Sequence, residues 1–102
     1  MLVFGMHVIS LKKLRDFWKL HPPAEQPLKS WYKLASRATW TSPHDVKQDY
    51  RSADQIGDRR MVFNMGGNNY RLVVRFTFKY GRAMIKWVGT HAEYDKIDAE
   101  KV

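Results

Sequence analysis

Residues Tyr70–Lys79 alternate without a break. Tyr70, Leu72, Val74, Phe76 and Phe78 fall on one side of an extended chain. Arg71, Val73, Arg75, Thr77 and Lys79 fall on the other. A period of two held over ten residues, rich in aromatic and β-branched types, specifies a half-buried strand. Burying a side chain of this size is worth about 1.5–3 kcal/mol, so the apolar face demands a core to cover it. The chain must therefore build a sheet with this strand inside it.

Both flanking segments read as hairpin partners. Gly66-Gly67 between apolar runs is a primed-turn signal, because such turns need residues that accept positive φ. Tyr80-Gly81 is a weaker version of it. If each loop holds two residues, Phe63 faces Tyr70, Val62 faces Arg71, Arg75 faces Lys86 and Arg71 faces Thr90. Opposed side chains share a sheet face. One face then carries Met61, Phe63, Leu72, Val74, Phe76, Ala83, Ile85 and Trp87. The other carries Arg60, Asn64, Arg71, Arg75, Lys79, Arg82 and Lys86. A slip of one residue in either turn would turn a flanking strand over.

From Arg59 to His91 there is no Asp or Glu, while Arg59, Arg60, Arg71, Arg75, Lys79, Arg82 and Lys86 all carry positive charge. A lone surface cation is ordinarily just solvated. Neighbouring like charges on a sheet repel, and a polyanionic ligand would offset that repulsion. The whole chain shows the same bias: 18 Lys and Arg against 10 Asp and Glu, a formal net charge of +8. Nucleic acid, an anionic surface or an acidic protein are the partners such a balance attracts. The absence of cysteine excludes disulfides and thiolate metal sites and fits a reducing cytoplasm. At 102 residues, 44% of them hydrophobic, the chain reads as one domain, residues 1–102, with one core. Met1–Gly5 is too short for a signal sequence and reads as an extension ahead of a second start at Met6. No stretch approaches the roughly 18 apolar residues of a membrane span.

Met6–Ile9 is expected to form a short strand, with Ser10 capping the helix that follows. Leu11, Leu14 and Trp18 give that helix its apolar stripe, and Pro22-Pro23 end it. A second helix is expected from Ala24 to Ala38, with Leu28, Trp31, Tyr32 and Ala35 inward. Trp18 and Trp31 read most simply as core residues of this αα-hairpin. Ser42-Pro43 signals a third, short helix over His44–Tyr50, and Arg51–Asp58 a polar loop. Ala92–Ile97 can begin a last helix, and residues 98–102 read as a frayed tail. The fold class is α+β: helices on one face of a twisted antiparallel sheet.

The candidate chemistry lies after the last strand, in GTHAEYD. Histidine is the side chain whose unperturbed pKa lies near neutrality, which suits acid–base work. Tyr94 is three residues beyond His91, within reach if the segment is helical. RNA can be cut by its own 2′-hydroxyl if a base, an acid and cations for the phosphorane charge are supplied. His91, Tyr94, Arg71 and Arg75 are of those types, although an isolated histidine at a strand end is more often structural. His7, His21, His44 and His91 lack metal-ligand spacing, Gly66-Gly67-Asn68 is too short for a phosphate loop, and no serine sits in a nucleophile elbow. No metal or cofactor is expected.

The segments MHVIS, AEQPLKSWYK, VFNMGGNNYRLVV and VGTHAEYD resemble HigB-type toxins of the RelE/ParE superfamily, and together they span nearly the whole chain. The resemblance implies the RelE-like fold. It also implies a metal-independent mRNA interferase, a cytoplasmic endoribonuclease acting on message bound to the 70S ribosome. Its partners would be a HigA-type helix-turn-helix antitoxin and, through the toxin–antitoxin complex, operator DNA. By position, Arg71 corresponds to a phosphate-binding arginine, and His91 and Tyr94 to C-terminal catalytic residues. Asn64 and Asn69 flank the glycine turn and take an RNA-positioning role. The paired catalytic lysines of RelE have no motif match, and Lys79 and Lys86 are candidates by face, alongside Arg60 and Arg75. The same superfamily contains ParE-like toxins that bind DNA gyrase instead of cutting RNA, which is the rival expectation. A DNA-binding reading stands third, since no helix reads as a recognition helix.

Overall fold

The computed structural model describes residues 5–102, so the suggested extension over Met1–Gly5 falls almost wholly outside the described residues. Strand β1 (His7–Ile9) leads into helix α1 (Leu11–Leu20). A 3-10 turn over Pro22–Ala24 feeds α2 (Glu25–Ala35), and α3 (Pro43–Asp49) follows. Four strands come next: β2 (Asp54–Ile56), β3 (Arg60–Met65), β4 (Tyr70–Thr77) and β5 (Arg82–Thr90). One helical turn, α4 (His91–Tyr94), follows β5.

The sheet is ordered β1-β5-β4-β3-β2. It is mixed rather than purely antiparallel, because β1 pairs parallel with β5 at one edge. The helices cover one face. Leu14, Leu28, Trp31 and Ala35 meet Met61, Phe63, Leu72, Val74, Phe76 and Ile85 there, all fully or almost fully buried. Trp31 meets Phe63 edge-on at 5.5 Å between ring centres. The inward alternation of β4 holds for Tyr70, Leu72, Val74 and Phe76. Phe78 leaves the strand in a 3-10 turn and stacks on Phe76 at 5.0 Å.

Several local expectations are corrected. The glycine loop contains four residues, Gly66–Asn69, so Phe63 pairs with Leu72 and Val62 with Val73, a shift of two that leaves the faces unchanged. Both glycines use positive φ, +59° and +72°. On the other side a β-bulge lies opposite Val73 and Val74. Before it, Ile85 pairs with Val74; after it, Trp87 pairs with Val73, leaving Lys86 as the extra residue. Arg75 therefore faces Met84 instead of Lys86, and Arg71 faces Gly89 instead of Thr90. The extra residue turns the end of β5 over, so Trp87, expected in the core, lies on the opposite face.

Ser10 adopts a left-handed conformation and makes no capping bond, whereas Ser42 caps α3 by accepting from the Asp45 N–H. The polar loop before β3 contains β2, too short and charged to show an apolar alternation. Residues 98–102, expected to fray, form turns. Arg60 donates to the carbonyls of Glu100 and Val102 at 2.6 and 2.7 Å, which ties the segment to the sheet.

Candidate active site

The face away from the helices is read row by row across the strands, since directly opposed residues share a side. Asn64, Arg71 and Gly89 form one row; Asp54, Val62, Val73 and Trp87 form the next; Arg60, Arg75 and Met84 form a third. The expected basic face thus has an apolar centre. Val62 and Val73 are buried in it.

Arg71 is only 8% exposed, the one charged side chain that is buried among the described residues. Its Nη1 donates to the carbonyls of Asn68 and Tyr70, both at 3.2 Å. A guanidinium carries five N–H donors, so these bonds hold the head while other donors stay free. The sequence-local source of this geometry is the glycine loop, whose positive-φ turn brings the Asn68 carbonyl back towards the start of β4.

The same loop holds the beginning of α4. The His91 N–H donates to the Asn69 carbonyl at 2.9 Å. Thr90, paired with Tyr70, caps the turn: its hydroxyl accepts from the Glu93 N–H, and the Glu93 carboxylate accepts from the Thr90 N–H. This reciprocal box closes α4 in a single turn. The Thr90 bonds hold the Glu93 carboxyl below its ordinary range. His91 is exposed, with Nε2 4.0 Å from Asp95 Oδ2.

Tyr94 leans on the inner part of the face, its ring 6.0 Å from that of Trp87. Burial raises the Tyr94 pKa; the nearby Arg71 charge opposes the rise, and Asp54 and Asp95 add to it. Trp87 is half-buried and packs directly against Gly89, where a side chain would collide with the indole. Sequence reasoning missed Trp87 as a site residue. The glycine two positions beyond it is a local cue, but the bulge that turns the pair outward has no sequence signature.

The structure therefore gathers Arg71, His91, Tyr94, Asn64 and Asn69 at one end of the sheet and adds Trp87. The remaining candidates are spread out. Arg60 is engaged by the C-terminal carbonyls, and Arg75 lies one row further along, opposite Arg60. Lys86 lines a groove with Lys13 and Phe17 of α1. Lys79 sits in the 3-10 turn past the far end of β4. From Arg71 to Thr77 alone is about 20 Å of extended strand. Among the described residues no three His, Cys, Asp or Glu side chains are grouped to hold a metal.

The family model for the HigB toxin, a RelE-like toxic component of a toxin–antitoxin system, matches residues 24–97. The chain belongs to the HigB toxin family. The "mRNA interferase toxin HigB" of Escherichia coli strain K12 is 32% identical over 92 residues, 88% of each chain. The "mRNA interferase HigB" of E. coli O6:H1 is 28% identical over 94 residues, 90% of this chain and 91% of the relative. The family match takes in α2, the sheet from β2 to β5 and α4, hence every residue gathered at the Arg71 end. As a HigB-family toxin, the chain has an antitoxin as its partner. No helix among the described residues is long and apolar enough to cross a membrane.

Proposed function

We propose that the chain is an mRNA endoribonuclease, a toxin that inhibits translation by cutting ribosome-bound message in the cytoplasm. The observation that carries this reading is the grouping of an anchored arginine, a histidine and a partly buried tyrosine at one end of the sheet in a HigB-family chain. Relatives named mRNA interferase support it.

The chemistry proceeds by attack of a ribose 2′-oxygen on the adjacent phosphorus. The new O–P bond forms as the bond to the 5′-oxygen breaks, leaving a 2′,3′-cyclic phosphate and a 5′-hydroxyl. His91 takes the proton from the 2′-hydroxyl. Tyr94 gives one to the departing 5′-oxygen, a role suited to a phenol that burial keeps protonated. Arg71, already held by two carbonyls, offers its remaining donors to the phosphorane oxygens. Asn64, Asn69 and Arg75 position the strand, and Trp87 offers a stacking surface for a base. A HigA-type helix-turn-helix antitoxin is the proposed partner, and the pair binds its operator DNA.

The test is a map of RNA 5′ ends in cells after brief induction of wild type and of His91→Ala. In-frame cuts inside translated regions, absent with the variant, are the expected result. Intact RNA with arrested growth would instead favour a ParE-like gyrase inhibitor.

A further inference from the structure

The far end of β4 carries a second feature of a nucleic-acid surface. Tyr80 is 62% exposed, on a turn held by Gly81 in a left-handed conformation. The Lys79 ammonium and the Arg82 guanidinium lie 5.6 and 5.5 Å from its ring centre. Both distances are close to the outer limit of cation–π contact, and the ring remains largely open to solvent. Neither cation has a carboxylate partner within ion-pair distance among the described residues.

Tyr80 also stands between two clefts. One, about 390 Å³, is lined by Arg59, Phe76, Thr77, Phe78, Lys79 and Tyr80. The other, about 290 Å³, lies between Tyr80 and Trp40. Arg59, whose Nε is 3.7 Å from the Asp58 carboxylate, is the third cation here, and Asp58 is the acid nearest to it. His7 pairs with Arg82 at the sheet edge. An exposed ring, flanking cations and an open cleft on either side form the combination that holds a nucleotide of single-stranded RNA. The ring takes the base, and the cations take the phosphates before and after it.

We propose that Tyr80, with Lys79, Arg82 and Arg59, forms a second RNA-binding site that grips the message strand at a distance from the cleavage site. It rests on the reading of the chain as an RNA-cutting toxin. The separation from Arg71 means that one short oligonucleotide cannot fill both sites, whereas a longer strand spans them.

The test uses the whole chain and a fluorescein-labelled 2′-O-methyl RNA 12-mer, which lacks the attacking hydroxyl. Wild type, Tyr80→Ala, Tyr80→Phe and Lys79→Gln/Arg82→Gln are compared by anisotropy across a salt series, with melting curves to confirm folding. Tyr80→Ala is expected to bind about tenfold more weakly, as loss of one base stack implies. Tyr80→Phe keeps the ring and is expected to bind as wild type. The double variant is expected to flatten the salt dependence. Equal binding by Tyr80→Ala and wild type, or no binding by either, overturns the proposal. So does unchanged 12-mer binding with weakened co-sedimentation with ribosomes, which would assign the ring to ribosomal RNA. The RNA map in cells is independent of these readings, so cutting that persists while Tyr80 proves dispensable removes this site alone.

Discussion

The indole of Trp87 packs against the backbone of Gly89, closely enough that no side chain fits at position 89. Gly89 is directly opposite Arg71 on the neighbouring strand, and the same indole meets the Tyr94 ring at 6.0 Å. Gly89→Ala would force the ring away and press on the Glu93 carboxylate, 3.1 Å from the new methyl. Overpacking of this kind costs about 1–3 kcal/mol. The variant should melt earlier and lose growth arrest. Trp87→Phe, which keeps an aromatic surface, should retain more toxicity than Trp87→Ala when expressed at equal levels.

Arg71→Lys keeps the charge but not the fork. A lysine has one donor group to divide between the Asn68 and Tyr70 carbonyls and the phosphate. Single-turnover cleavage of ribosome-bound message should fall by about 10²–10³-fold, the usual effect of losing a transition-state donor. A variant with wild-type rates would exclude Arg71 from the chemistry.

Tyr94→Phe removes the proposed proton donor and leaves the packing on Trp87. The rate should drop by about 10²–10⁴-fold, with little change in melting temperature. Burial favours the protonated phenol in the folded state. Its contribution to stability is complete below the usual tyrosine value of 10 and is lost as pH rises through the raised one. Across neutral pH the phenol stays protonated, so a pH–rate profile should show no loss from Tyr94 in that range.

The Thr90–Glu93 box should be measurable as stability. Thr90→Ala removes the cap and should cost about 1 kcal/mol in chemical denaturation. Because hydrogen bonds to Thr90 lower the Glu93 pKa, its contribution is present above the ordinary glutamate value of 4.5 and is lost as pH falls through the depressed one. The difference between wild type and Glu93→Gln should therefore shrink on acidification below 4.5.

Arg60 is held by the carbonyls of Glu100 and Val102. Arg60→Ala should release residues 98–102, seen as faster amide exchange there and earlier proteolytic trimming. Unchanged exchange would mean that other contacts hold the segment.

The central strand, the αα-hairpin and the cationic bias were legible because each is written as a local period or a count. Tyr70, Leu72, Val74 and Phe76 show a period of two, and Leu14, Leu28 and Trp31 sit at helical spacings in α1 and α2. A last helix was legible, but over Ala92–Ile97; the Thr90–Glu93 box starts it at His91, and it closes at Tyr94. Strand β2 was not, because a three-residue edge strand buries too little to impose a pattern. Nor was the tail's position, since Arg60 meets residues forty positions away.

By itself the sequence determined which β4 side chains turn toward the helices, where the helices lie and which residue types are available for phosphate chemistry; that Arg71 and Val73 are buried on the other face it did not show. Side-chain period and local turn chemistry act over a few residues and need no partner. Tertiary structure alone decided the faces and neighbours at the end of β5. One bulged residue, Lys86, turned Trp87 out of the core and set Gly89 opposite Arg71. Strand register is a property of two strands packed together, and a one-residue insertion inverts every side chain beyond it.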